Sequence, residues 1–367
     1  VGNDSTISEW LINYEGGFTK RGLIGQIAIY LSYLIDIKLR LSIFIFQITI
    51  IAVYYLLLNN FISNLKFNNL IIFSIFTPIF ILYPVAEIEV LARKETFLYC
   101  FFLLYLLLDN KTLKNIYKLT VLPVAILVWE PVIFFFPFWI IIDFFEQNEK
   151  NIIKSLFNII IFYLPAISLA FFIAFNPISS EGHKVMANFL KDEFNEACYM
   201  SCALLISKST IIEQFTDTFA LFTFERIIRY FLVLLVGFGP LIILIQYSKF
   251  KKLNAKIISL FVSLPIIVLF LMMTDWGRTV NMYYTFSILT FLYLFKKNYL
   301  QLNQVYKQNF FVKLFKTKKL LIFFFIIFCF GWNPKTSIVG DVGSKPGYQI
   351  PRKALKIIYF KYIKNTY

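Results

Sequence analysis

Arginine is scarce in this chain, and so are the residues around which many soluble enzyme sites are built. The 367 residues include one histidine and four cysteines, and no C-x-x-C pair occurs, so the common zinc spacings are excluded. There is no Walker A, G-x-G-x-x-G, H-E-x-x-H or G-x-S-x-G motif, which argues against use of a soluble nucleotide. Only seven of the 36 basic residues are arginine, which leaves 29 lysines.

What the chain does contain is apolar sequence in long runs. It is 59% hydrophobic and 20% aromatic, with a mean hydropathy of +0.71, and these values predict an integral membrane protein. The formal charge of +15 comes mostly from lysines in short loops between apolar segments. Such lysines orient a membrane protein, so we expect membrane lipids and no nucleic acid as partners.

A spanning helix needs about 20 apolar residues, and the sequence predicts an all-α polytopic bundle, residues 1–367 forming one transmembrane domain of about ten spanning or half-spanning helices. The stretch 118–146 is too long for one helix, and Pro131 after Glu130 predicts two short helices that meet there. The full-length candidates are 39–58, 70–90, 152–175, 227–247 and 257–274, and the shorter ones are 96–109, 283–295 and 320–332.

The lysines also predict the orientation. The loops 109–118, 248–256 and 296–319 hold lysine and no arginine, so we expect them in the cytoplasm. The loop 176–226 and the stretch 1–38 then lie outside, with 22–37 as an amphipathic helix along the membrane surface. The basic tail 333–367 fits poorly: either 320–332 does not cross, or the tail lies on outer-leaflet head groups.

On this topology all seven arginines lie near the outer face. The planar guanidinium grips phosphate or carboxylate through two parallel hydrogen bonds, so the distribution indicates an anionic ligand on that face. The alternative is chance combined with AT-rich coding, which favours lysine.

The outer loop also holds Cys198, Cys202 and His183. The two cysteines either form a bridge or remain thiols, because helical spacing of four residues strains a disulfide. A lone histidine is more often incidental than catalytic. Cys100 and Cys329 stand in apolar runs and are interpreted as packing residues.

Four charged groups near the outer face are the candidate sites. The run Glu9–Gly25 combines carboxylates, a basic pair and glycines that allow close backbone approach. The alternatives are a surface turn for this run, an i,i+4 pair between Glu89 and Arg93, and an i,i+3 pair in the last group. The candidate residues are Glu9, Glu15, Lys20 and Arg21; Glu87, Glu89, Arg93, Lys94 and Glu95; Glu130 at the helix break; and Asp275 and Arg278.

The run WLINYEGGFTKRGLIG resembles a W-x-x-N-Y-x-G-G-F-x-[RK]-R-G-L-x-G signature of bacterial multi-pass proteins of cell-surface polysaccharide synthesis. The layout also resembles the GT-C glycosyltransferases, whose first outer loop carries interfacial helices and a catalytic carboxylate. The resemblance implies that 1–38 is that loop, preceded by a spanning helix upstream of Val1. It makes Glu9, Glu15 and Asp4 the candidates for the catalytic base.

The resemblance implies transfer of a sugar from a polyprenyl-phosphate donor to a lipid-linked or cell-surface glycan acceptor, outside a bacterial inner membrane. A carboxylate would deprotonate the acceptor, and Arg21, Arg93 and Arg278 would converge on the phosphate. No cofactor or metal is expected. The alternatives are a flippase for lipid-linked oligosaccharides, for which polar residues at mid-membrane depth are typical, and a polysaccharide polymerase.

Overall fold

The computed structural model describes residues 4–63, 65–87, 90–91, 93–147, 151–206, 211–303 and 318–335. It is 77% helix, which confirms the all-α prediction. The chain divides into two compact units, one made of residues 1–65 and 92–210 and the other of residues 66–91 and 211–367.

The first unit consists of helices joined by short turns. Asn110 and Asn151 cap two of them, because their side chains accept hydrogen bonds from backbone N–H groups of the first turn. The α-helices are α1 (Asp4–Leu11), α2 (Gly22–Ile35), α3 (Leu39–Ile62), α6 (Glu95–Leu107), α7 (Lys111–Val128), α8 (Phe136–Glu146), α9 (Ile152–Ile160), α10 (Leu164–Phe175), α11 (Ser180–Phe194) and α12 (Met200–Ala203); the 3₁₀ turns are Glu130–Phe135, Ile161–Tyr163 and Leu204–Ile206.

The second unit combines helices with one short antiparallel ladder. Strands β1 (Ser248–Phe250) and β2 (Leu300–Leu302) pair so that Lys249 faces Gln301. Its α-helices are α4 (Asn69–Ile75), α5 (Tyr83–Ala86), α13 (Ile211–Ala220), α14 (Phe224–Gln246), α15 (Ala255–Met272), α16 (Trp276–Lys296) and α17 (Lys318–Phe330).

Four helices in the described part of the chain are long and apolar enough to cross a membrane. They cover Leu39–Ile62, Ile152–Phe175, Phe224–Gln246 and Ala255–Met272, and each buries only 22–33% of its most apolar window inside the protein. Such wide apolar surfaces are stable where lipid covers them. The structure therefore has the features of a membrane protein, and these four segments agree with predicted spans.

Two predictions about helix breaks have opposite outcomes. The break at Glu130 is confirmed, because α7 ends at Val128 and α8 begins at Phe136. A single spanning helix over 70–90 is wrong, because α4 ends at Ile75 and the chain then turns through Pro78, which donates no backbone hydrogen bond. The segment 176–226, predicted as an outer loop, contains the helices α11, α12 and α13.

Candidate functional site

The glycine-rich run folds as α1, a tight turn and α2, and its glycines are required by contact. A Cβ added to Gly25 would lie 2.0 Å from the carbonyl oxygen of Ile12, and one added to Gly22 would lie 2.3 Å from the Tyr14 ring. Only glycine permits this approach. The run therefore holds α2 directly against the chain that follows α1, and it places Arg21 at the start of α2.

Arg21 stands at a strained and specific position. Its φ of 63° is left-handed, which costs a non-glycine residue about 1–2 kcal/mol. Its Nε and Nη2 donate to the two carboxylate oxygens of Glu130, each at 2.8 Å, and its guanidinium lies 5.9 Å from the centre of the Trp129 ring. The first loop is thus tied by a two-pronged ion pair to the helix break 109 residues away.

Arg93 forms an ion pair with a residue far away in the sequence. The i,i+4 pair with Glu89 stays a prediction, because residue 89 is outside the part of the chain that the structure describes. Arg93 Nη1 donates to Glu9 Oε1 at 2.9 Å, and both side chains are about 95% buried. An ion pair this deeply buried costs about 3–5 kcal/mol when one partner is removed.

Lys94 is buried like its neighbours, but unlike Arg93 it forms no ion pair among the residues that the structure describes. Its Nζ donates to the backbone carbonyl of Arg21 at 2.6 Å, which helps to hold the left-handed turn. Burial lowers the pKa of Lys94 to about 7, and nearby Arg21 adds to this shift, while Glu9, Glu130 and Glu95 oppose it. A buried ammonium of this kind is stabilised by an incoming anion.

Lys20 and Glu95 complete what we call the first charged cluster. Burial lowers the pKa of Lys20, while nearby Glu130 opposes the shift. Burial also raises the pKa of Glu130, but Arg21 and Lys20 together bring it below its usual value, so this carboxylate stays ionised. The cluster holds four cations and three carboxylates, a net formal charge of +1: Glu9, Lys20, Arg21, Arg93, Lys94, Glu95 and Glu130.

Of the other two candidate bases, Glu15 lies apart from this cluster, and the side chain of Asp4 is outside the described part of the structure. Glu15 is exposed, and its Oε1 accepts a hydrogen bond from Gln26 Nε2 at 2.8 Å. Asp4 begins α1, and its side chain is not among those described. Among the described candidates, only Glu9 lies beside Arg93 and Lys94.

A second charged cluster lies in the other unit. Arg278 Nη1 donates to Asp275 Oδ2 at 2.7 Å, so the i,i+3 pair considered for this run is present. Glu87 accepts from Lys335 Nζ at 3.1 Å, and the carbonyl of Lys335 would lie 1.8 Å from a Cβ at Gly277. Because Arg278 belongs to a different unit from Arg21 and Arg93, the convergence of the three arginines stays a prediction.

Cys198 and Cys202 form a disulfide, which answers the question left open by their spacing. Cys198 lies in a non-helical segment before α12, so the bridge does not have to fit a regular helix. His183 is buried beside it, with Nε2 3.2 Å from Cys198 Sγ and 3.2 Å from the carbonyl of Cys202. The disulfide therefore ties the segment before α12 to α12 itself, and the contacts of His183 connect this bridge to α11. Ser201 N in α12 donates to Ser8 Oγ of α1 at 2.9 Å.

Sequence reasoning missed one buried polar group in the first unit. Asp143 Oδ2 accepts from Lys118 Nζ and from the Tyr163 hydroxyl, each at 2.8 Å, and its other oxygen accepts from Tyr105. All four side chains are buried, and Tyr163 lies near the centre of the span Ile152–Phe175. Asp143 stands alone in the apolar run 131–145, and that isolation is the signal that could have identified it.

Fold and sites together define a helical membrane protein with buried charged clusters. Comparison of the chain with protein-family models, with curated proteins and with solved structures finds no match. The function of the protein is therefore inferred from the charged side chains in these clusters and from their contacts.

Proposed function

We propose that this protein is an integral-membrane glycosyltransferase that moves a sugar from a polyprenyl-phosphate donor to a lipid-linked or cell-surface glycan acceptor. The observation that carries the proposal is Lys94, a fully buried ammonium with a carbonyl partner and no carboxylate partner among the described residues. Ionisable groups kept inside a membrane protein are costly and mark functional sites. A phosphate is the anion that this arrangement fits.

The neighbouring residues can each supply part of the transfer. Arg21 already presents its two-pronged fork to the carboxylate of Glu130, and a phosphate matches the same donor geometry. Lys94 would neutralise the leaving phosphate. Glu9 is the best placed of the described carboxylates to accept the proton of the acceptor hydroxyl, with Glu15 as the alternative.

We further propose a GT-C-like arrangement of about ten spanning or half-spanning helices in a bacterial inner membrane. The helix α2 (Gly22–Ile35) is too short to span a bilayer and would lie along the outer surface as an interfacial helix. The polyprenyl tail would remain in the lipid while its phosphate reaches the first charged cluster.

Binding of a long-chain polyprenyl monophosphate to the purified protein tests the site before the sugar is known. Lys94→Met and Arg21→Lys should each weaken binding at least tenfold, since each removes a charge-assisted contact of about 1.5–3 kcal/mol. Lys111→Met, which removes an exposed cation at the start of α7, is the matched control. Unchanged binding by both site variants would remove the basis of the proposal.

The pH dependence gives an independent check. The free site loses its Lys94 charge as the pH rises through about 7, and bound phosphate raises that pKa. Affinity should therefore fall as the pH increases above 7, and the dependence should be flatter in Lys94→Met. Transfer from a panel of polyprenyl-phosphate sugars into membrane glycans then tests catalysis directly.

The buried group around Asp143 favours a second candidate, a transporter of lipid-linked oligosaccharides. Polar side chains at mid-span depth are typical of substrate or proton pathways, and Tyr163 with Lys118 and Asp143 forms such a group. A fluorescent lipid-linked sugar in proteoliposomes distinguishes the two functions. Translocation that is lost in Asp143→Asn, without any glycan product, would favour the transporter.

A further inference from the structure

An open basic cavity lies in the second unit, where α14 and α15 are joined. It encloses about 1030 Å³ and is lined by residues of the connecting segment together with the ends of both helices. Strand β1 forms part of its wall and pairs with β2. The cavity belongs to neither charged cluster.

The lining residues are cationic and apolar. Four lysines contribute positive charge, and Asp and Glu are absent from the lining residues that the structure describes. Leucine side chains from the connecting segment and from the first turns of α15 add an apolar part. The residues that matter for the inference are Lys249, Lys251, Lys252, Lys256, Leu253 and Leu260.

The position of the cavity relates it to a membrane surface. Both helices that bound it, Phe224–Gln246 and Ala255–Met272, are long and apolar enough to span a bilayer. Their connecting segment therefore falls at the level of the lipid head groups. A lysine-rich pocket between two spanning helices at this depth combines the contacts that an anionic phospholipid needs, charge for the phosphate and apolar surface for the acyl chains.

We propose that this cavity binds the head group of an anionic phospholipid. The lysines contact the phosphate, while Leu253 and Leu260 contact the start of the acyl chains. The charges of the four lysines repel one another in the empty cavity, and a bound anion relieves that repulsion. The proposal is independent of the glycosyltransferase assignment, because it uses none of the residues of the first charged cluster.

Native mass spectrometry of the detergent-purified full chain provides the test, with phosphatidylglycerol and phosphatidylcholine as probes. The variant Lys251→Gln/Lys252→Gln/Lys256→Gln should lose affinity for phosphatidylglycerol on the order of a hundredfold, from about fivefold for each lysine. The variant Lys297→Gln/Lys318→Gln/Lys319→Gln removes the same charge from the ends of α16 and α17, and it should change affinity less than about threefold. An unchanged thermal transition shows that each variant is folded.

Three results would overturn the proposal. Equal retention of phosphatidylglycerol and phosphatidylcholine would show that the head-group charge is not recognised. An equal loss in the two triple variants would show that net charge matters and the cavity does not. Displacement of the lipid by millimolar inorganic phosphate would show that the cavity recognises free phosphate, because a lipid held by head group and acyl chains should resist it. A loss of affinity confined to the cavity variant, with the lipid retained in phosphate, supports the assignment.

Discussion

Replacement of Lys94 by methionine should make the substrate-free protein more stable. Methionine keeps most of the volume of the side chain and removes the buried charge. The lysine pKa falls from 10.5 to about 7 on burial, which corresponds to a cost of about 5 kcal/mol for the charged form. Loss of the hydrogen bond to the Arg21 carbonyl offsets roughly 1.5–3 kcal/mol of this stabilisation. A net gain of about 2–3 kcal/mol in the free energy of unfolding is therefore expected.

The sign of the pH dependence follows from the lowered pKa. Below pH 7, where Lys94 is charged in the folded protein, its burial lowers the free energy of unfolding by the full amount. This destabilisation disappears as the pH rises from 7 towards 10.5. The difference in melting temperature between Lys94→Met and the parent should be largest near pH 7, roughly 3–6 °C, and should shrink by pH 10. Differential scanning fluorimetry in detergent measures it.

Lys118 provides the matched control, since it is an equally buried lysine that does have a carboxylate partner. Lys118 Nζ lies 2.8 Å from Asp143 Oδ2, so Lys118→Met should destabilise the protein by about 3–5 kcal/mol. A lower melting temperature in Lys94→Met would refute the reasoning. Lys94 would then be a structural donor for the Arg21 turn, and its use as a phosphate ligand would lose its support.

Three further outcomes are expected from the first unit. Gly25→Ala should lower the melting temperature and the yield of folded protein, since its Cβ would meet the Ile12 carbonyl at 2.0 Å, whereas Gly239→Ala, with open space around it, should have little effect. Arg21→Lys should retain normal expression but lose most transfer activity, because an ammonium lacks the two-pronged fork; wild-type activity would contradict a role for the fork. Reduction of Cys198–Cys202 should increase hydrogen exchange in α12 and leave exchange in α16 unchanged; identical exchange in α12 would show that the bridge does not restrain it.

The fold was largely predictable, because hydrophobic length is a local signal. The segments 39–58 and 152–175 correspond to Leu39–Ile62 and Ile152–Phe175, and proline placed the break at Glu130. The segment 70–90 misled for the same reason. Its composition is apolar enough to span, but the chain turns near Pro78. Proline has no backbone N–H to donate within a helix, and the average hydropathy of a segment does not reflect this loss.

The partners of the charged residues were not predictable from spacing. The carboxylate for Arg93 comes from Glu9, 84 residues away, and the carboxylate for Arg21 comes from Glu130, 109 residues away. Helical periodicity compares residues three or four apart, so it could not indicate a partner 84 or 109 residues away. The sequence could indicate which residues are costly to bury, but not which ones neutralise each other.

The distinction between Arg93 and Lys94 shows why pairing matters more than composition for function. The two cations are adjacent in the sequence and both buried. Arg93 is bound to Glu9, whereas Lys94 has a carbonyl and no carboxylate as partner within the described part of the chain. The charge of a buried cation is compensated while its carboxylate partner is kept, and removal of that partner destabilises the protein. A cation without such a partner lowers stability until an anion arrives. Lys94, rather than the arginines that first indicated an anionic ligand, is therefore the residue whose environment most requires one.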